Sequence, residues 1–124
     1  MSNDCTIYVV DDDRAAAMSV SALLTTIGLN VEAYHSAQDF LAAFDRDRQG
    51  CLVLDVRMQG MDGLELQAAL VADGVSIPII MISGHADSDI SRRALQNGAV
   101  AFLEKPFDGR ELCRVVREAL GRAN

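Results

Sequence analysis

Short apolar runs alternate with stretches of helical periodicity along the whole chain. The runs are four to six residues long, which is strand length, and apolar residues at three- and four-residue spacing follow each of them. We therefore predict five strands, each followed by a helix. The predicted strands are residues 7–10, 31–34, 51–54, 77–82 and 100–103, of which the second is the least apolar.

The helical segments carry their own end signals. Asp13 and Ser36 each stand where an N-cap is expected, and Gly28 can end the first helix. Asp108 and Glu111 mark the start of the last helix. The apolar faces predicted for the first, second and last helices are Ala16, Val20, Leu23 and Ile27; Ala37, Phe40, Leu41 and Phe44; and Leu112, Val115, Val116 and Ala119.

The predicted strands are mostly apolar throughout rather than alternating, which is typical of a parallel sheet covered by helices on both faces. Right-handed crossovers between such strands build a doubly wound α/β sheet. The chain has 124 residues, a length that fits one domain, which we place at residues 1–124.

Composition narrows the function classes. The formal net charge is −7, which argues against direct contact of this domain with a nucleic acid backbone. No apolar run approaches the length of a membrane span, and no signal-peptide pattern opens the chain. The three cysteines are odd in number and show no metal-ligand spacing. We therefore expect a cytoplasmic protein with no membrane partner.

Polar residues follow four of the five predicted strands. Aspartates 11, 12 and 13 follow the first strand, and Asp55 follows the third. Ser83 follows the fourth strand, and Lys105 comes shortly after the fifth. In a doubly wound sheet the ligand crevice lies beyond the carboxyl ends of the strands, so we expect these groups to converge.

Three carboxylates at one edge predict a site for a hard divalent cation. Carboxylates held close together raise one another's pKa, and Mg²⁺ (or Mn²⁺) relieves this conflict with oxygen ligands. We expect Asp12 and Asp55 to be direct ligands and Asp11 to lie close by or act through water. Asp13 is expected to cap the next helix instead. The alternative, a capping cluster without metal, becomes weaker because Asp55 and Lys105 join the group.

A cation site beside a lysine and a hydroxyl points to phosphoryl transfer. An aspartate can act as a nucleophile and form an acyl phosphate, and catalysis then depends on positioning and charge stabilisation. We expect Asp55 to be the nucleophile, Lys105 to supply a cation for the phosphoryl oxygens, and Ser83 to donate a hydrogen bond to one of them.

Four stretches of the sequence carry a family resemblance. "VVDDD", "LVLDVRMQGMDGLEL", "PIIMISGHAD" and "AVAFLEKPF" resemble the receiver domain of bacterial two-component response regulators, across about residues 7–120. "GCLVLDVRM" and "SGHAD" are most similar to the FixJ-like group, in which a DNA-binding domain usually follows. The resemblance implies a flavodoxin-like fold with strand order 2-1-3-4-5, an order for which a receiver is a standard example.

The resemblance also implies roles for individual residues. Asp55 would be the phosphoacceptor, Asp11 and Asp12 the acidic pair, and the backbone carbonyl of Arg57 a further metal ligand. The remaining implied roles are Ser83 as the switch hydroxyl, Phe102 as the switch aromatic residue, Lys105 as the family's lysine, and Pro106 after a cis peptide bond. Arg57 and His85 flank the site, where they would tune hydrolysis of the acyl phosphate or be solvated loop residues.

The implied partners are a sensor histidine kinase, an output DNA-binding domain in a longer chain, and a second copy of the domain. The surface that would change is residues 87–98, 100–103 and 108–120. The sequence departs from the family at Gln59, where proline is usual, so that the loop loses a fixed φ angle. Serine rather than threonine stands at position 83.

Three other functions stay open at this level. A flavodoxin-like cofactor binder would need a phosphate-cradling loop after the first strand, where three aspartates would repel phosphate. A phosphatase with an aspartyl intermediate would need a cap domain. A stand-alone receiver could act as a protein-interaction adapter without phosphorylation.

Overall fold

Five strands and five helices alternate strictly along the chain. The computed structural model describes residues 5–84 and 88–123. The strands and helices, in chain order, are β1 Thr6–Val10, α1 Arg14–Thr26, β2 Asn30–Tyr34, α2 Ala37–Ala43, β3 Gly50–Asp55, α3 Gly63–Ala72, β4 Ile79–Ser83, α4 Ser88–Gln96, β5 Ala101–Glu104 and α5 Gly109–Ala123.

The strands form one parallel sheet in the order β2-β1-β3-β4-β5. This order confirms the predicted doubly wound fold. Strands β1, β3 and β4 are buried along their whole length, because helices cover both faces. Residues of α1 and α5 pack in one core cluster and residues of α2, α3 and α4 in the other. Within residues 5–84 and 88–123, no helix combines the length and apolar character of a membrane span.

Helix α1 packs through a face shifted slightly from the one predicted, since Val20, Leu23 and Ile27 do contact the core cluster but Ala17 takes the place of Ala16. Ala17 and Leu24 are its buried residues, whereas Val20, Leu23 and Ile27 are only partly buried. The spacing could not separate Ala16 from Ala17, because three consecutive alanines precede Met18 and give the same signal in either phase. For α5 the predicted face is correct: Leu112, Val115, Val116 and Ala119 are all buried.

The helix ends follow from capping. The Asp13 carboxylate accepts hydrogen bonds from the N–H groups of Ala15 and Ala16, as predicted for an N-cap. Ser36 caps α2 by accepting from the N–H of Asp39. Gly28 follows α1 with a φ angle of 91°, a left-handed conformation that favours glycine.

All five strands differ from the prediction by one or two residues at one or both ends. Strand β4 starts at Ile79 rather than Ile77, since Pro78 has no N–H to give to a ladder. It also extends to Ser83, and β5 extends to Glu104. Two of the site residues, Asp55 and Ser83, therefore belong to strands, which positions them more rigidly than a loop would, whereas Asp11, Asp12 and Lys105 follow strands.

Candidate functional site

The predicted site residues meet at the carboxyl edge of the three central strands. Asp11 follows β1 directly, and Asp55 is the last residue of β3. Asp55 pairs with Ile82 in the sheet, one residue before Ser83, the last residue of β4. Lys105 follows β5, and its backbone N–H donates to the carbonyl of Ser83 at 2.8 Å. The sheet therefore brings groups from four parts of the chain together.

The three aspartates at this edge fit a small divalent cation. Asp11, Asp12 and Asp55 each offer a carboxylate oxygen, and these oxygens lie within 4.8 Å of one another. Two opposite ligands of Mg²⁺ are separated by about 4.1 Å, twice the usual Mg–O distance, so small side-chain movements would close the set. Asp11 and Asp55 are buried and Asp12 is exposed, so the group is also open on one side.

Lys105 lies against two of these carboxylates. Its Nζ is 3.0 Å from Oδ1 of Asp55 and 3.4 Å from Oδ2 of Asp11. One ammonium faces three carboxylates, so an excess of two negative charges is left among these four groups when all are ionised. The arrangement favours a further cation.

Burial and charge shift the pKa values of the central pair. Burial raises the pKa of Asp55, and the charge of Asp11 adds to this effect, although the hydrogen bond from Lys105 acts against it. Burial alone would lower the pKa of Lys105, but the hydrogen bond and charge of Asp55 outweigh it and raise that pKa. Lys105 is therefore charged at neutral pH. The ion pair thus decides the direction of the pKa shift at Lys105, whereas burial decides it at Asp55.

Backbone N–H groups of the loop after β3 hold two of the aspartates. The N–H of Arg57 donates to the Asp55 carboxylate. The N–H of Gln59 donates to Oδ2 of Asp12 at 3.0 Å. The Asp11 carboxylate is held differently, since its Oδ1 accepts from the N–H of Asp13 at 2.9 Å. Sequence reasoning missed the contact of Gln59, because a backbone donor across 47 positions leaves no mark in residue types.

The start of α3 closes this loop. The capping box of Asp62 and Glu65 begins the helix, and the N–H of Gly63 donates to the carbonyl of Val56 at 2.9 Å. A Cβ atom at Gly63 would lie 2.4 Å from the carbonyl oxygen of Asp55. Glycine is thus required for α3 to approach the end of β3, and this approach fixes the loop that carries Arg57 and Gln59.

The chain is similar in sequence to known proteins. The profile of the response regulator receiver domain matches residues 7–117. The chain belongs to that family. It is 47% identical over 114 residues to the response regulator protein TodT of Pseudomonas putida, covering 92% of this chain and 50% of TodT. It is 42% identical over 123 residues to the transcriptional regulatory protein FixJ of Azorhizobium caulinodans, covering 99% of this chain and 58% of that FixJ.

Solved structures of receivers have the same fold. The structure of the response regulator StyR superposes with a TM-score of 0.92 at 39% identity, over 97% of this chain and 61% of StyR. The chain spans about half the length of the curated relatives it matches. These relatives support the assignment to the FixJ-like group of receivers. Receivers are signalling domains that typically bind Mg²⁺ at an acidic pocket, which corresponds here to the three aspartates.

The remaining predicted residues lie around this pocket. Ser83 is fully buried at the end of β4. Phe102 on β5 is partly buried against the core cluster that includes α3 and α4. The Lys105–Pro106 peptide bond is cis, as the resemblance implied. The Arg57 side chain is exposed, and the metal role of its carbonyl stays a prediction. His85 and Asp87 lie outside the described residues.

Proposed function

We propose that residues 1–124 form a single receiver domain that accepts a phosphoryl group on Asp55 in a two-component phosphorelay. One observation carries this proposal: the Asp55 carboxylate ends the central strand, 3.0 Å from the Lys105 ammonium and within a cluster of two further aspartates. A buried nucleophile with a fixed cation beside it is what acyl phosphate formation requires.

The donor is a phosphohistidine of a sensor histidine kinase, or a small acyl phosphate. An oxygen of the Asp55 carboxylate attacks phosphorus, an O–P bond forms, and the N–P bond of the phosphohistidine breaks. The imidazole leaves and takes up a proton. Lys105 pairs with the phosphoryl oxygens and Ser83 donates a hydrogen bond to one of them. Attack of water on phosphorus reverses the state, releasing inorganic phosphate and restoring the carboxylate.

Asp11, Asp12, Asp55 and the Arg57 carbonyl would hold Mg²⁺ or Mn²⁺. When bound, this ion supplies positive charge that offsets the negative charge of the phosphoryl group. The domain itself thereby catalyses its own phosphorylation and dephosphorylation, since the kinase contributes only the phosphohistidine.

Phosphorylation changes the surface formed by α4, β5 and α5, which we call the output face. The phosphoryl group adds about 1.5 to 2 negative charges, to which Ser83 and Lys105 move, and Phe102 turns inward. The output face then contacts a second copy of the domain. The matches to this chain cover only 50% of TodT and 58% of FixJ. We therefore propose that a DNA-binding domain follows in the full-length protein, in the cytoplasm. The acidic domain itself makes no nucleic acid contact.

The test is the intact mass of the protein after incubation with acetyl phosphate, with and without Mg²⁺. We expect one phosphoryl group on the wild type with Mg²⁺, and none without it or on Asp55→Asn. Beryllofluoride binding to the wild type, followed by NMR, is the second measurement. No adduct together with no beryllofluoride binding would contradict the proposal and favour an unphosphorylated adapter.

A further inference from the structure

The loop after β3 replaces a missing proline with a hydrogen bond. Position 59 is usually proline in this family, and proline has no N–H. Here Gln59 supplies one, and it donates to Oδ2 of Asp12 at 3.0 Å. The amide in question therefore exists because this chain departs from the family pattern.

Asp12 depends on this contact more than the other two aspartates depend on any one of theirs. Asp55 is buried and bonded to Lys105 and to the N–H of Arg57. Asp11 is also buried and is held by Lys105 and by the N–H of Asp13. Asp12 is exposed, and in residues 5–84 and 88–123 its carboxylate has one hydrogen-bond donor, the N–H of Gln59.

We propose that Gln59 is a positioning residue whose backbone N–H orients the Asp12 carboxylate for the divalent cation. The proposal rests on the metal site of the proposed function. One carboxylate oxygen is held from the loop, so Oδ1 is left for the cation and the side chain has less rotational freedom to lose on binding. Arg57 and Gln59 together fix the loop to both Asp55 and Asp12, with the predicted ligand carbonyl of Arg57 between them.

Two substitutions separate the backbone donor from the side chain. Gln59→Pro removes the backbone N–H, whereas Gln59→Ala keeps the N–H and removes the side chain beyond Cβ. A hydrogen bond to an exposed carboxylate is worth enough to change an equilibrium by about two- to tenfold. We therefore expect Gln59→Pro to weaken Mg²⁺ binding by that factor and Gln59→Ala to bind as the wild type does, measured by calorimetric titration.

The melting temperature in EDTA serves as the structural control. A positioning role predicts that Mg²⁺ affinity falls in Gln59→Pro while this temperature stays within the spread of wild type and Gln59→Ala. Equal Mg²⁺ affinity in the proline and alanine variants would overturn the inference. Absence of Mg²⁺ binding to the wild type would instead overturn the metal site itself, and with it the proposed function.

If the proline variant does not fold, amide exchange in the wild type tests the hydrogen bond on which the inference depends. By NMR without Mg²⁺, the Gln59 amide should exchange more slowly than the rate of an unstructured peptide, although residue 59 is exposed. Asp12→Ala should abolish this protection. Exchange at the unstructured rate in the wild type would contradict the proposal.

Discussion

Helices α4 and α5 both belong to the output face, yet the sheet holds them very differently. Helix α5 buries four apolar side chains in the core cluster that it shares with α1. Helix α4 buries Ala94 alone among its described residues, while Ile90 is partly buried and Leu95 is 48% exposed. Apolar burial is the main source of helix stability in a fold. Helix α5 is therefore anchored, whereas α4 is lightly attached.

This difference indicates which element can respond to a charge at Asp55. Segments with few buried apolar contacts open and shift at low free energy, and moving elements are drawn from them. Part of the attachment of α4 is polar: the buried Gln67 of α3 donates through Nε2 to the carbonyl of Ala94 at 2.9 Å. We expect α4 to change position during signalling while α5 stays fixed as the frame.

The largest expected effect comes from the same substitution made on each helix. Leu112→Ala on α5 removes a fully buried side chain and should lower the free energy of unfolding by about 2–5 kcal/mol. Leu95→Ala on α4 removes a half-exposed one and should cost less than about 1 kcal/mol. Equilibrium urea unfolding measures both. Similar losses in the two variants would show that α4 is as well anchored as α5.

A smaller and more local effect is expected at Gln67. Gln67→Met keeps the length of the side chain and removes its donor, so α4 loses a direct tie to α3. The Ala94 carbonyl still accepts from the N–H of Ala99. Replacing a buried amide with an apolar group of similar shape is then nearly neutral for global stability. Amides of α4 should nevertheless exchange about fivefold faster, the equivalent of one hydrogen bond.

Hydrogen–deuterium exchange by mass spectrometry compares the α4 and α5 peptides of this variant. Gln96→Met provides a matched control, because Gln96 is an exposed glutamine on α4. The control should leave both helices at the wild-type rate. Faster exchange in α5 as well as α4, or in neither, would contradict the role of Gln67 as a specific tie of α4.

The sequence predicted the order and type of the elements better than it predicted which side chains pack in the core. Alternation of apolar runs and helical spacing is enough to define the order and type of the elements, and the face of α5 follows from four apolar residues in one stripe. Ala16 and Ala17 could not be told apart because both are alanine. Gln67 was missed, although it falls three residues after Leu64 and three before Leu70, both buried. A polar residue within an apolar stripe is the signal that could have found it.

The sequence predicted which residues form the site, but not the hydrogen bonds that connect them. Residue types after each strand placed Asp11, Asp12, Asp55 and Lys105 at one edge, and the structure brings them together. Gln59 was interpreted only as a loss of restraint on the loop. Its bond to Asp12 depends on where a backbone N–H points, which three-dimensional packing decides. Roles in phosphoryl transfer stay predictions until Asp55 is tested.

The smallest effect, opposite in sign, is expected at Asp55, the last residue of β3. Folding raises the pKa of Asp55 above its ordinary value of 3.8. The folded protein therefore binds a proton at this carboxylate more tightly than the unfolded chain does. The free energy of unfolding therefore falls as the pH rises from 3.8 through the raised pKa of the folded state. Asparagine cannot ionise, so Asp55→Asn should be slightly more stable than wild type at neutral pH in EDTA.

The gain should vanish well below pH 3.8, where the aspartic acid is neutral in both states. Urea unfolding at several pH values measures it, and Asp13→Asn is the control, since this N-cap lies beside the site and asparagine caps equally well. Asp55 is part of β3, in the core of the sheet, so the substitution should stabilise the whole fold. Amide exchange in Asp55→Asn should therefore slow throughout the core rather than in α4 alone. A variant less stable than wild type at neutral pH would mean that the Lys105 pair outweighs burial at Asp55.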